Sequence, residues 1–265
     1  MSIKENIKNL LLSNIAVSAQ RKIGIEEECF IYNSNAFSQK FQITIEGYLS
    51  GIKVGESLAT LELNNSKYSM LVNSTTTGIT KLLYPWKQEI KILGQINNNI
   101  IEPSFYNISD IRDDNKYGHM HIIYKNSIPI IKSSNPDYKN DTRREKVSKK
   151  LLLNSLDPVN SLISLGLLIN KSKNCDHEIK IFDGRRRFNL KYSLIEINTD
   201  TISCKLNIIR IAGYSKKELK KHPKEGIIVL KKISNTHNIY FPIQVKIPLI
   251  IGSFFVNLKT NLILQ

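Results

Sequence analysis

From Phe41 to the C-terminus, apolar residues recur at every second position in run after run. A chain patterned that way buries them by laying its backbone out as strands. Phe41, Ile43 and Ile45 alternate up to Gly47, and a turn over residues 50–55 leads into Leu58-Ala59-Thr60-Leu61-Glu62-Leu63. Asn64-Asn65 punctuates the next run, residues 68–75, so the three runs predict an antiparallel meander. Further strands are expected over residues 88–96, 101–110 and 117–125, and again from Glu178 to the end, with a Lys-rich break over 215–226.

Two segments carry the helical period instead. Thr77 can cap a short helix with Ile79, Leu82, Leu83 and Trp86 on its inner face, limited in length by Pro85. Asp157-Pro158 opens the one substantial helix, Asp suiting the N-cap and Pro the first helical position, with Val159, Leu162, Ile163, Gly166 and Leu167 as its buried stripe. Residues 136–150 are polar and charged and read as a mobile loop. The fold expected is mostly β, a curved antiparallel sheet or open barrel wrapping one or two helices.

The chain of 265 residues then divides into a head, residues 1–37, and an antiparallel β domain, residues 38–265. The head can be drawn as an amphipathic helix. It can also be drawn as a secretory signal, with Lys4 and Lys8 as the basic region, residues 10–17 as the apolar region and Val17-Ser18-Ala19 as the cleavage site. No apolar run reaches the roughly 18–20 residues that a membrane-spanning helix needs. A net charge of +15 would suit nucleic acid or an anionic membrane surface. The lysines are spread widely, so the charge reads first as a merely soluble basic surface, with peripheral contact with anionic envelope components as the other reading. No nucleic-acid-binding module is recognisable, and a nucleic-acid partner is not expected.

The string around Asp183-Gly184 reads as a hairpin, since that pair suits tight turns in which both central residues take positive φ. Arg185, Arg186 and Arg187 follow it. They form either an anion-binding tip or a set of ion pairs to carboxylates on neighbouring strands. Cys175 and Cys204 stand before and after this hairpin and fall near each other if the strands run antiparallel. Bridged, they imply an oxidising compartment; unbridged, they are buried thiols. His119 and His121 share a strand face but have no third metal ligand in view. Glu26 and Glu28 also share a face, as a metal pair or as part of a solvated charge run. The sequence contains no Walker loop, G-x-S-x-G elbow or paired-Cys zinc spacing, so neither catalysis nor a cofactor is expected.

Several strings resemble an uncharacterised bacterial family, domain of unknown function 3108, common in alphaproteobacteria. They are FQITIEGYLSGIKVGESLATLEL, STTTGITKLL, LDPVNSLISL, CDHEIKIFDGRRRFNLKYS with Cys175, ISCKLNIIRIAG with Cys204, and PIQVKIPLIIGSFFVNL. The resemblance implies an envelope protein exported to the periplasm. The implied fold is of the lipoprotein-carrier type, a half-barrel enclosing an apolar cavity for a lipid or other apolar small molecule. It also implies that Cys175 and Cys204 are oxidised. The head, RKIGIEEECFIYN, is instead similar to the start of a glutamate–cysteine ligase, an ATP-dependent carboxylate–amine ligase, in which Glu26 and Glu28 would face magnesium. The catalytic barrel of such a ligase is absent, so a gene fusion with an inactive ligase fragment is the alternative reading. A fused chain without an export signal would remain cytoplasmic.

Overall fold

The computed structural model describes residues 38–264 except 65, 113–115, 222, 234–238, 250–251 and 259–262. The expectations for the head, with Glu26, Glu28 and Cys29, lie outside the described residues. Seven strands come first: β1 (Ser38–Leu49), β2 (Ile52–Asn64), β3 (Lys67–Thr76), β4 (Trp86–Asn97), β5 (Ile100–Arg112), β6 (Tyr117–Lys125) and β7 (Ile128–Asn135). A short helix α1 (Gly78–Leu83) joins β3 to β4. Helices α2 (Lys149–Leu152) and α3 (Pro158–Ser172) follow, then β8 (Glu178–Phe182), β9 (Arg187–Ile197) and β10 (Thr201–Ala212). Helix α4 (Lys216–Lys221) precedes β11 (Glu225–Lys232), β12 (Tyr240–Pro248), β13 (Ser253–Leu258) and the two-residue β14 (Ile263–Leu264).

All of them belong to one 14-stranded sheet, ordered β7-β6-β5-β4-β3-β2-β1-β13-β12-β11-β10-β9-β8, with β14 beside β1. Two meanders, β1 to β7 and β8 to β13, are welded by the antiparallel pairing of β1 with β13. Three hairpins turn through residue pairs that both take positive φ: Ser50-Gly51, Asn98-Asn99 and Asn126-Ser127. Such turns match the twist of the strands they join, and Asn and Gly tolerate the left-handed backbone.

The sheet must curl. Strands β5 and β12 are six places apart in it, about 29 Å if it were flat at ~4.8 Å per strand. A helix is only about 10–12 Å across, yet α3 packs against β5, β8 and β12 together. The sheet therefore wraps α3, as a nearly closed barrel. The helix divides the interior into two apolar clusters. Ile163 and Leu167 face Phe41, Ile43, Leu61 and Ile122. Leu165 and Ile169 face Ile181, Tyr192, Cys204 and Ile228, and Leu156 packs against both clusters. Being enclosed, α3 does not bury a one-sided stripe: Asn160, Ser161, Leu165 and Ile169 are inside with Ile163, Gly166 and Leu167, while Val159 and Leu162 of the expected stripe are only half-buried. Gly166 is required by this packing, because a β-carbon there would lie 1.9 Å from the Tyr240 carbonyl oxygen on β12.

Three local expectations need correction. Helix α1 forms behind Thr77 but buries none of its residues, and Leu82 is 83% exposed. A helix of six residues, packed against β2 and β3 in the β3–β4 connection, is too short to reach an interior already filled by the strands and α3. Asp183-Gly184 is not a two-residue turn: β8 and β9 are joined by residues 183–186, and only Gly184 has positive φ. The Asp183 carboxylate accepts hydrogen bonds from the backbone N–H groups of Arg185 (3.0 Å) and Arg186 (2.7 Å), which organises the wider loop. Finally, the polar segment 136–150 is tied down. Arg144 pairs with Asp141 and Glu218 and donates to the Gly213 carbonyl at 3.2 Å, anchoring the segment beside α4.

Candidate functional site

The sheet's two edges, β7 and β8, are not paired with each other. Residues 154–156 are laid between them. Asn154 N–H donates to the Ser127 carbonyl in the β6–β7 turn, Leu156 N–H donates to Lys180 O, and Phe182 N–H donates to Leu156 O, each at 2.8 Å. Leu156 thus makes a parallel bridge to Ile181 of β8, and the segment works as a strap across the seam.

The strap's position is set by the start of α3. Asp157, fully buried, caps the helix by accepting from Val159 N–H (3.1 Å) and Asn160 N–H (2.9 Å). Its other oxygen accepts from the Tyr124 hydroxyl at 2.7 Å and from the Asn160 amide, and the Tyr68 hydroxyl donates to Asn160 Oδ1 at 2.6 Å. One carboxylate therefore joins α3 to β6 and, through Asn160, to β3. Burial pushes the Asp157 carboxyl above the usual range, opposed by these hydrogen bonds. Burial also raises Tyr124 and Tyr68, so both remain neutral donors.

Two cavities open near the unpaired edges. The first, about 600 Å³, runs between β7, the tethered segment with α2, and the β8–β9 loop. Its apolar lining includes Ile128, Pro129, Ile131, Val147, Leu152 and Phe182, and this floor is continuous with the first apolar cluster. Lys125, Arg144, Lys146, Lys149 and Arg185 also line it, with Asp141 and Glu145. The second, about 670 Å³, lies between β5, α3 and β8 and is lined by Tyr124, Ser155, Ser164 and Ile179 among others.

The three arginines following Asp183-Gly184 do not converge. Arg185 lines the first cavity, its guanidinium 4.6 Å from the centre of the Tyr138 ring. Arg186 pairs with Asp183 at 2.6 Å and lies 4.0 Å from Glu218. Arg187 is buried and donates to the Leu151 carbonyl (2.8 Å), the Phe188 carbonyl (2.6 Å) and Asn189 (2.5 Å), and burial lowers its pKa. Cys175 and Cys204 are joined in a disulfide, with α-carbons 5.9 Å apart, though Cys175 stands in the connection before β8 rather than on a strand.

His119 and His121 both lie on β6. His119 stacks on Tyr117 at 5.6 Å, and His121 meets the edge of Phe105 at 6.3 Å. Burial, and then Lys132 and His119, lower the His121 pKa. No group of three or more metal-ligating side chains occurs among the described residues.

Sequence reasoning missed Tyr138, Lys146, Lys149 and Leu152 as cavity residues. The one local signal was that the connection 136–150 is long and mixes an aromatic ring with charge.

No curated protein matches this chain, so the ligase-like reading of residues 1–33 gains no support. A solved structure similar to it is that of a β-barrel-like protein of domain of unknown function 1849 from Brucella abortus. The match spans 86% of this chain and 98% of the other, at 7% identity and a TM-score of 0.46. Residues 40–259 match the family model described as Protein of unknown function (DUF3108), and the chain belongs to that family.

Proposed function

We propose that this chain is a non-enzymatic protein of the cell envelope that holds an apolar small molecule in the first seam cavity. The observation that carries the reading is that cavity: about 600 Å³ with an apolar floor, bounded by the edge strand β7 and a long tethered connection. Its volume falls within the roughly 300–1,000 Å³ of small-molecule sites, and an apolar wall with a few polar groups is their usual lining. The disulfide supports an oxidising compartment such as the periplasm. Among the described residues no helix is long and apolar enough to cross a membrane.

The test is native mass spectrometry of the full chain, searching for a copurified lipid, together with uptake of dodecanol by the delipidated protein. A bound mass or saturable uptake is expected, and Leu152→Trp, which fills the cavity, is expected to abolish it. Absence of both in the wild type, or undiminished binding in a folded Leu152→Trp variant, would overturn the proposal.

A further inference from the structure

The first seam cavity is apolar on its floor but strongly basic on its walls. Five cationic side chains line it, Lys125, Arg144, Lys146, Lys149 and Arg185, against two carboxylates, Asp141 and Glu145. Their partners divide them. Arg144 is committed to Asp141 and Glu218, and Asp141 is held further by Arg143 at 2.7 Å. Burial opposes ionisation of Glu218, yet the Arg144 guanidinium and the Ser215 N–H and O–H hold its carboxyl down at about 2. Both members of that ion pair are occupied.

The remaining four cations, Lys125, Lys146, Lys149 and Arg185, make no ion pair among the described residues, and only Glu145 stands among them as a counter-charge. Like charges gathered beside an apolar floor raise the free energy of the empty site. They lower it again when an anion enters.

Arg185 is the best-placed receptor. Its guanidinium lies against the Tyr138 ring, 4.6 Å from the centroid, an arrangement that restrains the side chain while its N–H groups stay available at the edge. A guanidinium fork matches a carboxylate or phosphate with two parallel hydrogen bonds. Its backbone N–H is held by Asp183, so the residue's base is set by the β8–β9 loop.

We infer that the ligand is an amphiphile with a carboxylate or phosphate head. Arg185, aided by Lys146 and Lys149, receives the anion, and Ile131, Leu152 and Phe182 take the chain. This rests on the proposed use of the seam cavity and adds the charge of the ligand and the residue that reads it.

The experiment is isothermal titration of the delipidated full chain with dodecanoate, dodecyl phosphate and dodecanol. At least one anion should bind about tenfold or more tightly than dodecanol, and which of the two does so identifies the head. Arg185→Ala should weaken that anion by about 10- to 100-fold, the usual range for a lost charged hydrogen bond. It should leave dodecanol and the melting temperature unchanged, and Arg185→Lys should restore part of the loss. Should Arg185→Ala not fold, the double variant Lys146→Ala/Lys149→Ala, on exposed side chains, is expected to weaken the anion alone. Equal affinity for dodecanol and both anions, or anion binding indifferent to these variants, would overturn the inference while leaving an apolar site standing. Failure of all three probes to bind would remove the seam-cavity proposal and this inference with it.

Discussion

At the scale of single residues, two buried polar groups make opposite contributions. Asp157 has its caps and partners supplied by Val159, Asn160 and Tyr124. Asp157→Ala removes a helix cap, worth about 1 kcal/mol, and takes the acceptor from the half-buried Tyr124 hydroxyl and from the buried Asn160 amide, at about 1–3 kcal/mol each. A loss of about 3 kcal/mol or more in urea unfolding is the expected outcome. The Tyr192 hydroxyl is buried and has no hydrogen-bond partner among the described residues, and burial raises its pKa. Tyr192→Phe deletes that stranded group without opening a large cavity. Denaturant unfolding should find the variant as stable as the wild type or up to about 1 kcal/mol more stable. A loss of more than about 1 kcal/mol would mean the hydroxyl has a partner after all.

At the scale of elements, α3 sits inside the sheet because of what its surface lacks as much as what it carries. In an exposed helix, Gly→Ala gains about 1 kcal/mol of propensity. At Gly166 the added β-carbon meets the β12 backbone at 1.9 Å, and a carbonyl in a paired strand cannot move aside as a flexible side chain would. The clash wins, so Gly166→Ala should lower stability by about 1–3 kcal/mol, measured by chemical denaturation. Helix α1 is the contrary case. The same helical period was legible in both segments, but α1 has six residues and stays outside, whereas α3 has fifteen and fills the barrel.

At the scale of the molecule, two covalent or ionic ties hold the sheet and its long connection in place. The Cys175–Cys204 disulfide links the end of the α3 connection to β10 across a sequence separation of 29. In the chain-entropy model such a loop contributes about 3–4 kcal/mol, so the double variant Cys175→Ser/Cys204→Ser should lose about that much. Calorimetry of protein made in an oxidising compartment checks it, and thiol labelling of the wild type should count one thiol before reduction and three after. The second tie is Glu218 with Arg144, both largely buried. The folded Glu218 carboxyl is held at about 2, below its ordinary value of 4.5. The pair therefore stabilises the fold fully above the unfolded pKa and stops doing so as pH falls through the folded one. The stability advantage of wild type over Glu218→Gln should be constant at neutral pH, shrink from about pH 4.5 downward and vanish near pH 2, followed by circular dichroism.

Strand period and the helix start were local properties, and the sequence alone determined them; the turn read at Asp183-Gly184 was not, since it widens into a loop over residues 183–186. Alternation from Phe41 onward forces a sheet, Asn and Gly mark its tight turns, and Asp157-Pro158 opens α3, because each depends on residues within a few positions of one another. The proximity of Cys175 and Cys204 was also legible, given antiparallel strands around one hairpin. The family resemblance of the β domain was readable in strings of its own residues. What the tertiary structure decided is which charges are spent and which remain. Arg185, Arg186 and Arg187 are neighbours in sequence, yet one lines a cavity, one pairs with Asp183 and one is buried against backbone carbonyls. The seam was equally invisible. It exists because β1 pairs with β13 and thereby leaves β7 and β8 as edges, and that pairing joins residues some 200 positions apart, a distance over which no local pattern in a chain carries information.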